Sequence, residues 1–295
     1  MKNSIFKGAG VALITPMNDD YSVNYKKLRE LVNWQIENKT DAIIACGTTG
    51  ESATLDENEH NEVIKQVVEE AKGRIPVIAG TGSNNTKHAI KLSKEAENLK
   101  ADGVLVVSPY YNKSSQEGLV KHYTAIADSV NIPVIIYDVP SRTGCRIEIE
   151  TFKKLSEHKN IVAVKAACGN ISNIAKIAAS CKENLAIFSG NDDQITPIMS
   201  IGGIGVISVL SNILPKETHE ICSLFLEGET KKSAKLQLEL LDLINALFID
   251  VNPIPIKEAM NLMGFSVGNC RLPLCNLDKN KLEILKQILE KHNLI

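Results

Sequence analysis

Eight short apolar runs, each followed by a longer stretch, constrain this chain more than any other feature of it. The runs are Val11–Thr15, Ala42–Cys46, Pro76–Ala79, Gly103–Ser108, Pro133–Tyr137, Ile161–Lys165, Leu185–Ser189 and Gly205–Val209. Short continuous apolar runs suit strands buried on both faces. The stretches between them carry helical periodicity. Leu28, Leu31, Val32 and Ile36 share one face of the first, and Val63, Ile64, Val67 and Val68 line the second. Thr54, with Glu57 three residues later, reads as a capping box opening that second helix. Lys94–Lys100, Leu119–Ser129, Phe152–His158 and Ile171–Ser180 supply further helices. Repeated β-then-α units imply a parallel sheet, and eight of them can close into an α/β fold of the (β/α)8 TIM-barrel class. The competitor is an open doubly wound sheet. Its phosphate fingerprint is missing, because Gly80-Thr81-Gly82 runs on into Ser83-Asn84-Asn85 without a third glycine, and no Walker A sequence is present. After about Gly228 the strand signal stops and three or four helices follow. The expected organisation is a barrel with the active site over residues 1–228 and a C-terminal helical extension over residues 229–295.

A barrel of this kind occupies about 250 residues as one unit, and 295 residues with 44% in the hydrophobic set suffice for its core. The formal net charge of -2 provides no electrostatic footprint for nucleic acid or an anionic membrane surface. Seven cysteines (Cys46, Cys145, Cys168, Cys181, Cys222, Cys270 and Cys275) form no Cys-x-x-Cys pair, the usage of a reduced, cytoplasmic protein. Met1 to Gly10 carries two lysines and no long apolar segment. No run approaches the roughly 18 apolar residues of a membrane span, so neither export nor insertion is expected.

Chemistry in such a barrel belongs at the C-terminal ends of the strands. Read in order, those ends are Thr15-Pro16, Gly47-Thr48-Thr49-Gly50-Glu51, Gly80-Thr81-Gly82, Pro109-Tyr110-Tyr111, Tyr137, Lys165, Gly190-Asn191-Asp192 and Ser208. Hydroxyls and glycines thus gather around one amine. Lys165 ends an apolar run and is followed by small residues. Burial there is expected to lower its pKa from about 10.4 toward neutrality and free the amine to attack a ketone; the alternative is a lysine that snorkels to solvent. Tyr137 ends the neighbouring strand and is placed to move protons in Schiff-base chemistry, unless it only packs its ring. Arg142, just beyond, suits a substrate carboxylate, or else a surface salt bridge. Glu51 serves acid–base work or accepts backbone bonds in a glycine turn. Nothing local supplies Cys168 with a base. The six histidines (His60, His88, His122, His158, His219 and His292) show no metal-ligand spacing.

With these residues located, the chain closely resembles the dihydrodipicolinate synthase / N-acetylneuraminate lyase family from about Ile5 to Leu274. The likeness rests on Gly47-Thr48-Thr49-Gly50-Glu51-Ser52, Pro109-Tyr110-Tyr111-Asn112, the run Tyr137 to Gly144, and Lys165 at its strand end. Asn252-Pro253-Ile254-Pro255-Ile256-Lys257 and Arg271-Leu272-Pro273 resemble the synthase branch. The resemblance implies a lyase of the class I Schiff-base type that condenses pyruvate with L-aspartate 4-semialdehyde, in diaminopimelate and lysine biosynthesis. It implies a covalent pyruvate imine on Lys165, no organic cofactor and no metal. By matched position, Tyr137, Thr48 and Tyr111 correspond to the proton relay, with Tyr111 reaching in from a second subunit. Thr49 corresponds to the residue that binds pyruvate's carboxylate and Arg142 to the one that binds the semialdehyde's. Gly190 and Ile207 correspond to backbone contacts near the imine. The implied assembly is a homo-oligomer, a tetramer of two tight dimers.

Three departures stand out. The synthases usually carry glutamate after the lysine and asparagine after the tyrosine, where this chain has Ala166 and Asp138; strand alternation is expected to turn Ala166 away from the pocket. Ser52, Ala53, His60, Asn84 and Tyr110 match the family's lysine-effector site, but Glu57 replaces its histidine and His88 its glutamate. Weak or absent feedback by lysine is therefore expected. The competing functions are a sibling aldolase acting on N-acetylneuraminate or a 2-keto-3-deoxy sugar acid, which Arg142 and Thr143 argue against, and a non-catalytic relative, which the retained amine and hydroxyls argue against.

Overall fold

The apolar runs become eight parallel strands: β1 (Gly8–Ala12), β2 (Ala42–Ala45), β3 (Val77–Gly80), β4 (Gly103–Val107), β5 (Val134–Asp138), β6 (Ile161–Ala166), β7 (Ala186–Ser189) and β8 (Gly205–Ser208). They hydrogen-bond in chain order and β8 returns to β1, closing a barrel. The structure is a computed structural model that describes residues 4–295, so the first three residues of the N-terminal stretch read above lie outside it. Closure depends on glycine at one point: a Cβ on Gly205 would stand 1.9 Å from the Gly8 carbonyl oxygen. No side chain fits between β8 and β1 there.

Strand alternation divides the core in two. Ala12, Ile44, Ile78, Leu105, Ile135, Phe188 and Ile207 fill the barrel interior, where Phe6 stacks on Phe188 at 4.3 Å. Val11, Ile43, Val77, Val104, Ile136, Val164, Ile187 and Val206 face outward beneath the helices. Both faces are sealed, which is why each strand reads as a continuous apolar run rather than an alternating one.

Several boundaries differ from the expectations. The first strand is Gly8–Ala12 rather than Val11–Thr15, because the glycines that weaken its strand signal are those the closure requires. Leu13 adds one ladder bond to Ile44 O (3.1 Å), after which the chain turns out to Thr15, whose hydroxyl donates to Gly50 O at 2.6 Å. The second helix runs Glu57–Ala71 and its capping box is Asp56 with Glu59, not Thr54 with Glu57. An aspartate accepts the N3 amide as well as a threonine does, and Thr54 lies in a 3-10 turn one step earlier. In the first helix, Tyr25–Glu37, Gln35 is buried with Leu28, Leu31 and Val32, while Ile36 is only half-buried. The Gln35 amide donates to Ser211 O at 2.8 Å. The third helix begins at Thr86, not near Lys94, under an Asn85 cap. Two helices not anticipated, Ile195–Ser200 and Pro215–Leu226, complete the alternation.

Four helices follow Gly228: Thr230–Glu239, Leu241–Ala246, Ile254–Leu262 and Lys279–Lys291. They interlock with the barrel. Gln237 bonds Asp193 O and Thr196 N–H, and Lys257 reaches Thr15 O (3.2 Å), Asn269 O (2.8 Å) and Glu51 Oε1 (2.9 Å). Among the described residues no helix is long and apolar enough to cross a membrane. All seven cysteines are free thiols.

Candidate active site

Lys165 sits one residue before the end of β6 and points into the barrel, only 5% exposed. Its register partner on β5 is Tyr137. That places the amine nitrogen 4.4 Å from the centre of the tyrosine ring, over its face. Alternation turns Ala166 outward into the layer between strands and helices, as the sequence predicts. Snorkelling is ruled out by this burial.

The other expected residues converge on the same end of the barrel in different degrees. Thr49 is buried and accepts a hydrogen bond from Asn252 Nδ2 at 3.0 Å; Thr48 beside it is half-buried. Arg142 lies on a one-turn helix, Pro140–Thr143, that the Thr143 hydroxyl helps close by bonding Cys145. Its guanidinium donates to Asn252 O at 3.1 Å and has no carboxylate partner among the described residues, so it is not the surface salt bridge weighed as the alternative. Gly190 donates its N–H to Ala166 O at 2.8 Å. A Cβ there would lie 2.6 Å from that of Ala167. Ile207 is buried in the barrel interior. Tyr111 is not brought in: its φ is +67° and its side chain is 90% exposed.

A cavity of about 470 Å³ opens beside these groups. Thr48, Arg142 and Asn252 line it together with Ser52, Ala53, His60, His88 and Tyr110. Lys165 and Tyr137 do not form its walls. Asn84 and Glu57 contact two residues that do, Tyr110 and His88. Asn84 Nδ2 donates to Tyr110 O at 3.2 Å. The Glu57 carboxylate pairs with the Lys91 ammonium and lies 3.3 Å from His88 Nε2, and the Lys91 contact holds it below the usual carboxylate range. His60 Nε2 lies 2.8 Å from Gly80 O, and burial holds its imidazole pKa low.

Three further residues shape the site. Glu51 proves structural: one carboxylate oxygen meets Lys257 and the other accepts the Arg271 N–H at 2.9 Å. Its side chain and that of Lys257 are 1% and 2% exposed, so the pair is sealed from water. A lone lysine in the apolar helix Ile254–Leu262 was the available signal for this pair. Asp192, nearly fully buried, accepts the Val209 and Leu210 N–H groups at 3.0 Å and so fixes the loop after β8. Burial pushes its carboxyl up, while the Ser208 hydroxyl, those two N–H groups and the Lys165 charge oppose the shift. Asp138, next to Tyr137, points outward and is fully buried; neither carboxylate oxygen closes a hydrogen bond among the described residues. Burial pushes its pKa up to about 7, opposed by the nearby Ile147 N–H and Arg146. Cys168 meets only Asn170 O, at 3.8 Å, and no base. Among the described residues no group of three or more His, Cys, Asp or Glu side chains is disposed to hold a metal.

Comparison with known proteins agrees with this geometry. A family profile described as the dihydrodipicolinate synthetase family matches residues 5–292. The 4-hydroxy-tetrahydrodipicolinate synthase of Clostridium novyi is 56% identical over 290 residues, covering 98% of both chains. The protein of the same name from Caldicellulosiruptor bescii is 58% identical over 286 residues, covering 97% of both. Among solved structures, the chloride-inhibited dihydrodipicolinate synthase of Acinetobacter baumannii, complexed with pyruvate, superimposes with a TM-score of 0.96. It is 42% identical over 98% of this chain and 99% of that one. A match of that extent, over a barrel whose sixth strand ends in a buried lysine, makes this chain a member of the dihydrodipicolinate synthetase family.

Proposed function

We propose that this protein is a 4-hydroxy-tetrahydrodipicolinate synthase that condenses pyruvate with L-aspartate 4-semialdehyde through an imine on Lys165. The observation that carries the proposal is the Lys165 amine, buried at the strand end and stacked on Tyr137. The relatives are named for the product of this condensation and a solved relative is complexed with pyruvate, which disfavours the sibling aldolase acting on sugar acids.

The Lys165 nitrogen adds to the pyruvate ketone, and loss of water gives the imine. Loss of a methyl proton then gives an enamine, whose carbon forms the new bond to the semialdehyde's carbonyl carbon. The amine of the bound adduct finally attacks the imine carbon, closes the ring and expels Lys165, releasing 4-hydroxy-2,3,4,5-tetrahydrodipicolinate. Tyr137 and Thr48 shuttle the protons, joined by Tyr111 from a second copy of the chain. The exposure of Tyr111 on its own protomer supports that reading. Thr49 holds pyruvate's carboxylate, and the Arg142 guanidinium, which has no carboxylate partner among the described residues, holds the semialdehyde's. The Gly190 carbonyl and the Ile207 backbone border the imine. The reaction draws on no metal or organic cofactor, since the lysine imine itself stabilises the carbanion.

We read residues 1–228 as the catalytic barrel and 229–295 as its extension, in a cytoplasmic homotetramer of two tight dimers. Ser52, Ala53, His60, His88 and Tyr110 of the cavity lining, with Asn84 and Glu57 in contact with them, correspond to the lysine-effector site. Its one new carboxylate, Glu57, is already neutralised by Lys91, which supports weak feedback.

The test is borohydride reduction in the presence of pyruvate, followed by peptide mass analysis, alongside a condensation assay with the semialdehyde. An adduct confined to Lys165 together with formation of the cyclic product is expected. Turnover without an adduct, or an adduct without turnover, would overturn the proposal.

A further inference from the structure

We infer that Asn252, in the C-terminal extension, is a positioning residue that sets the polarity of the Thr49 hydroxyl and thereby the affinity for pyruvate. This rests on the reading of Thr49 as the group that holds pyruvate's carboxylate.

An amide nitrogen only donates. Asn252 Nδ2 lies 3.0 Å from Thr49 Oγ1, so the threonine oxygen accepts and its own proton is directed elsewhere. Thr49 is 2% exposed and its hydroxyl makes no other hydrogen bond among the described residues. Its O–H is thus held free for an incoming anion. Asn252 is itself 6% exposed, the helix that follows it is pinned by Lys257 to Thr15 O and Glu51, and its amide is held through Nδ2 alone, since Oδ1 closes no hydrogen bond among the described residues. The same residue touches Arg142, but through its main-chain carbonyl (3.1 Å). Side chain and backbone therefore serve the two carboxylate-binding groups separately. A side-chain substitution at position 252 acts on one substrate and spares the contact to the other.

Aspartate and alanine at this position give opposite predictions for polarity and for packing. An aspartate has the shape of asparagine but only accepts, so N252D would draw the Thr49 proton toward the new carboxylate and set a negative charge near that of pyruvate. Polarity therefore ranks N252D below N252A, whereas a packing role ranks N252A below N252D. We expect the pyruvate KM to rise about tenfold in N252A, the value of one hydrogen bond, and about a hundredfold in N252D once charge repulsion is added. The semialdehyde KM should stay within about twofold of wild type in N252A.

The experiment measures both KM values, together with the pyruvate dependence of borohydride trapping on Lys165, which needs no second substrate. Should the alanine and aspartate variants fold poorly, T49V provides the second route: N252Q in a T49V background should add no further loss in pyruvate trapping. The inference is overturned if N252D binds pyruvate as well as N252A does, if both KM values rise together, or if trapping is unchanged. Wild-type trapping of pyruvate without turnover of the semialdehyde would instead overturn the proposed function and leave this inference standing.

Discussion

Replacing Asp138 by asparagine should stabilise the protein, and by more at high pH than at low. The Asp138 carboxyl is fully buried, without a closed hydrogen bond among the described residues, and its pKa is raised from 3.8 to about 7. Arg146 is the cation that opposes the shift, while the neighbouring Tyr123 phenol and Cys145 thiol carry no compensating positive charge. Because the folded pKa lies above the unfolded one, the native state binds the proton more tightly. Stability then falls as pH rises from about 4 to about 7, and levels off above it. At roughly 1.4 kcal/mol per pKa unit, the ionised carboxylate costs on the order of 2 kcal/mol at pH 5 and on the order of 4 kcal/mol at pH 8. Asparagine has the same shape and no charge, so D138N should recover that difference. The pH-dependent part is on the order of 2 kcal/mol, and with a urea slope of about 3 kcal/mol/M it moves the unfolding midpoint by something under about 1 M. The assay is urea denaturation of both proteins at pH 5 and pH 8, at one protomer concentration, since assembly adds to apparent stability. A midpoint gap that stays constant between the two pH values would refute the argument. A D138N protein less stable at pH 8 would show that the carboxylate holds a partner the geometry does not reveal.

Three other outcomes follow from the geometry. K257M breaks the sealed pair with Glu51 and should cost about 3–5 kcal/mol by leaving a buried carboxylate unpaired, whereas E51Q/K257M should regain most of it; equal losses in urea denaturation would show that the helix packing, not the charge, is at stake. L-lysine should inhibit only above millimolar concentration, because Lys91 already occupies the Glu57 carboxylate; strong inhibition in a sub-millimolar titration would contradict this. Y111F should lower kcat about a hundredfold, and mixing unfolded Y111F and K165A protomers before refolding should restore activity, since each mixed dimer holds one complete site. No recovery would place Tyr111 outside the partner's site.

The barrel was legible in the chain because its signal is local. A strand covered on both faces has to be apolar throughout, and an amphipathic helix has to repeat near 3.6 residues, so each element announces itself within its own span. Lys165 was legible for the same reason: one charge closing an apolar run marks a strand end inside a pocket. The first strand was misplaced because its glycines answer to β8, nearly 200 residues away, rather than to their neighbours. The capping box was misplaced because Thr54 and Asp56 are both good caps and only the turn at Ser52–Thr54 decides between them.

By itself, then, the sequence determined the alternation of elements, the closed barrel they imply and the amine at the end of the sixth strand. The tertiary structure alone decided how that amine is furnished. It set Asn252 against Thr49 across 203 residues and Lys257 against Glu51 across 206. It also turned Asp138 away from the pocket into a sealed layer where its carboxylate closes no hydrogen bond among the described residues. Such contacts leave no periodic trace. They exist only because the barrel closes and the C-terminal helices fold back across its mouth, and polar groups so far apart in the chain acquire partners only when that closure removes them from water.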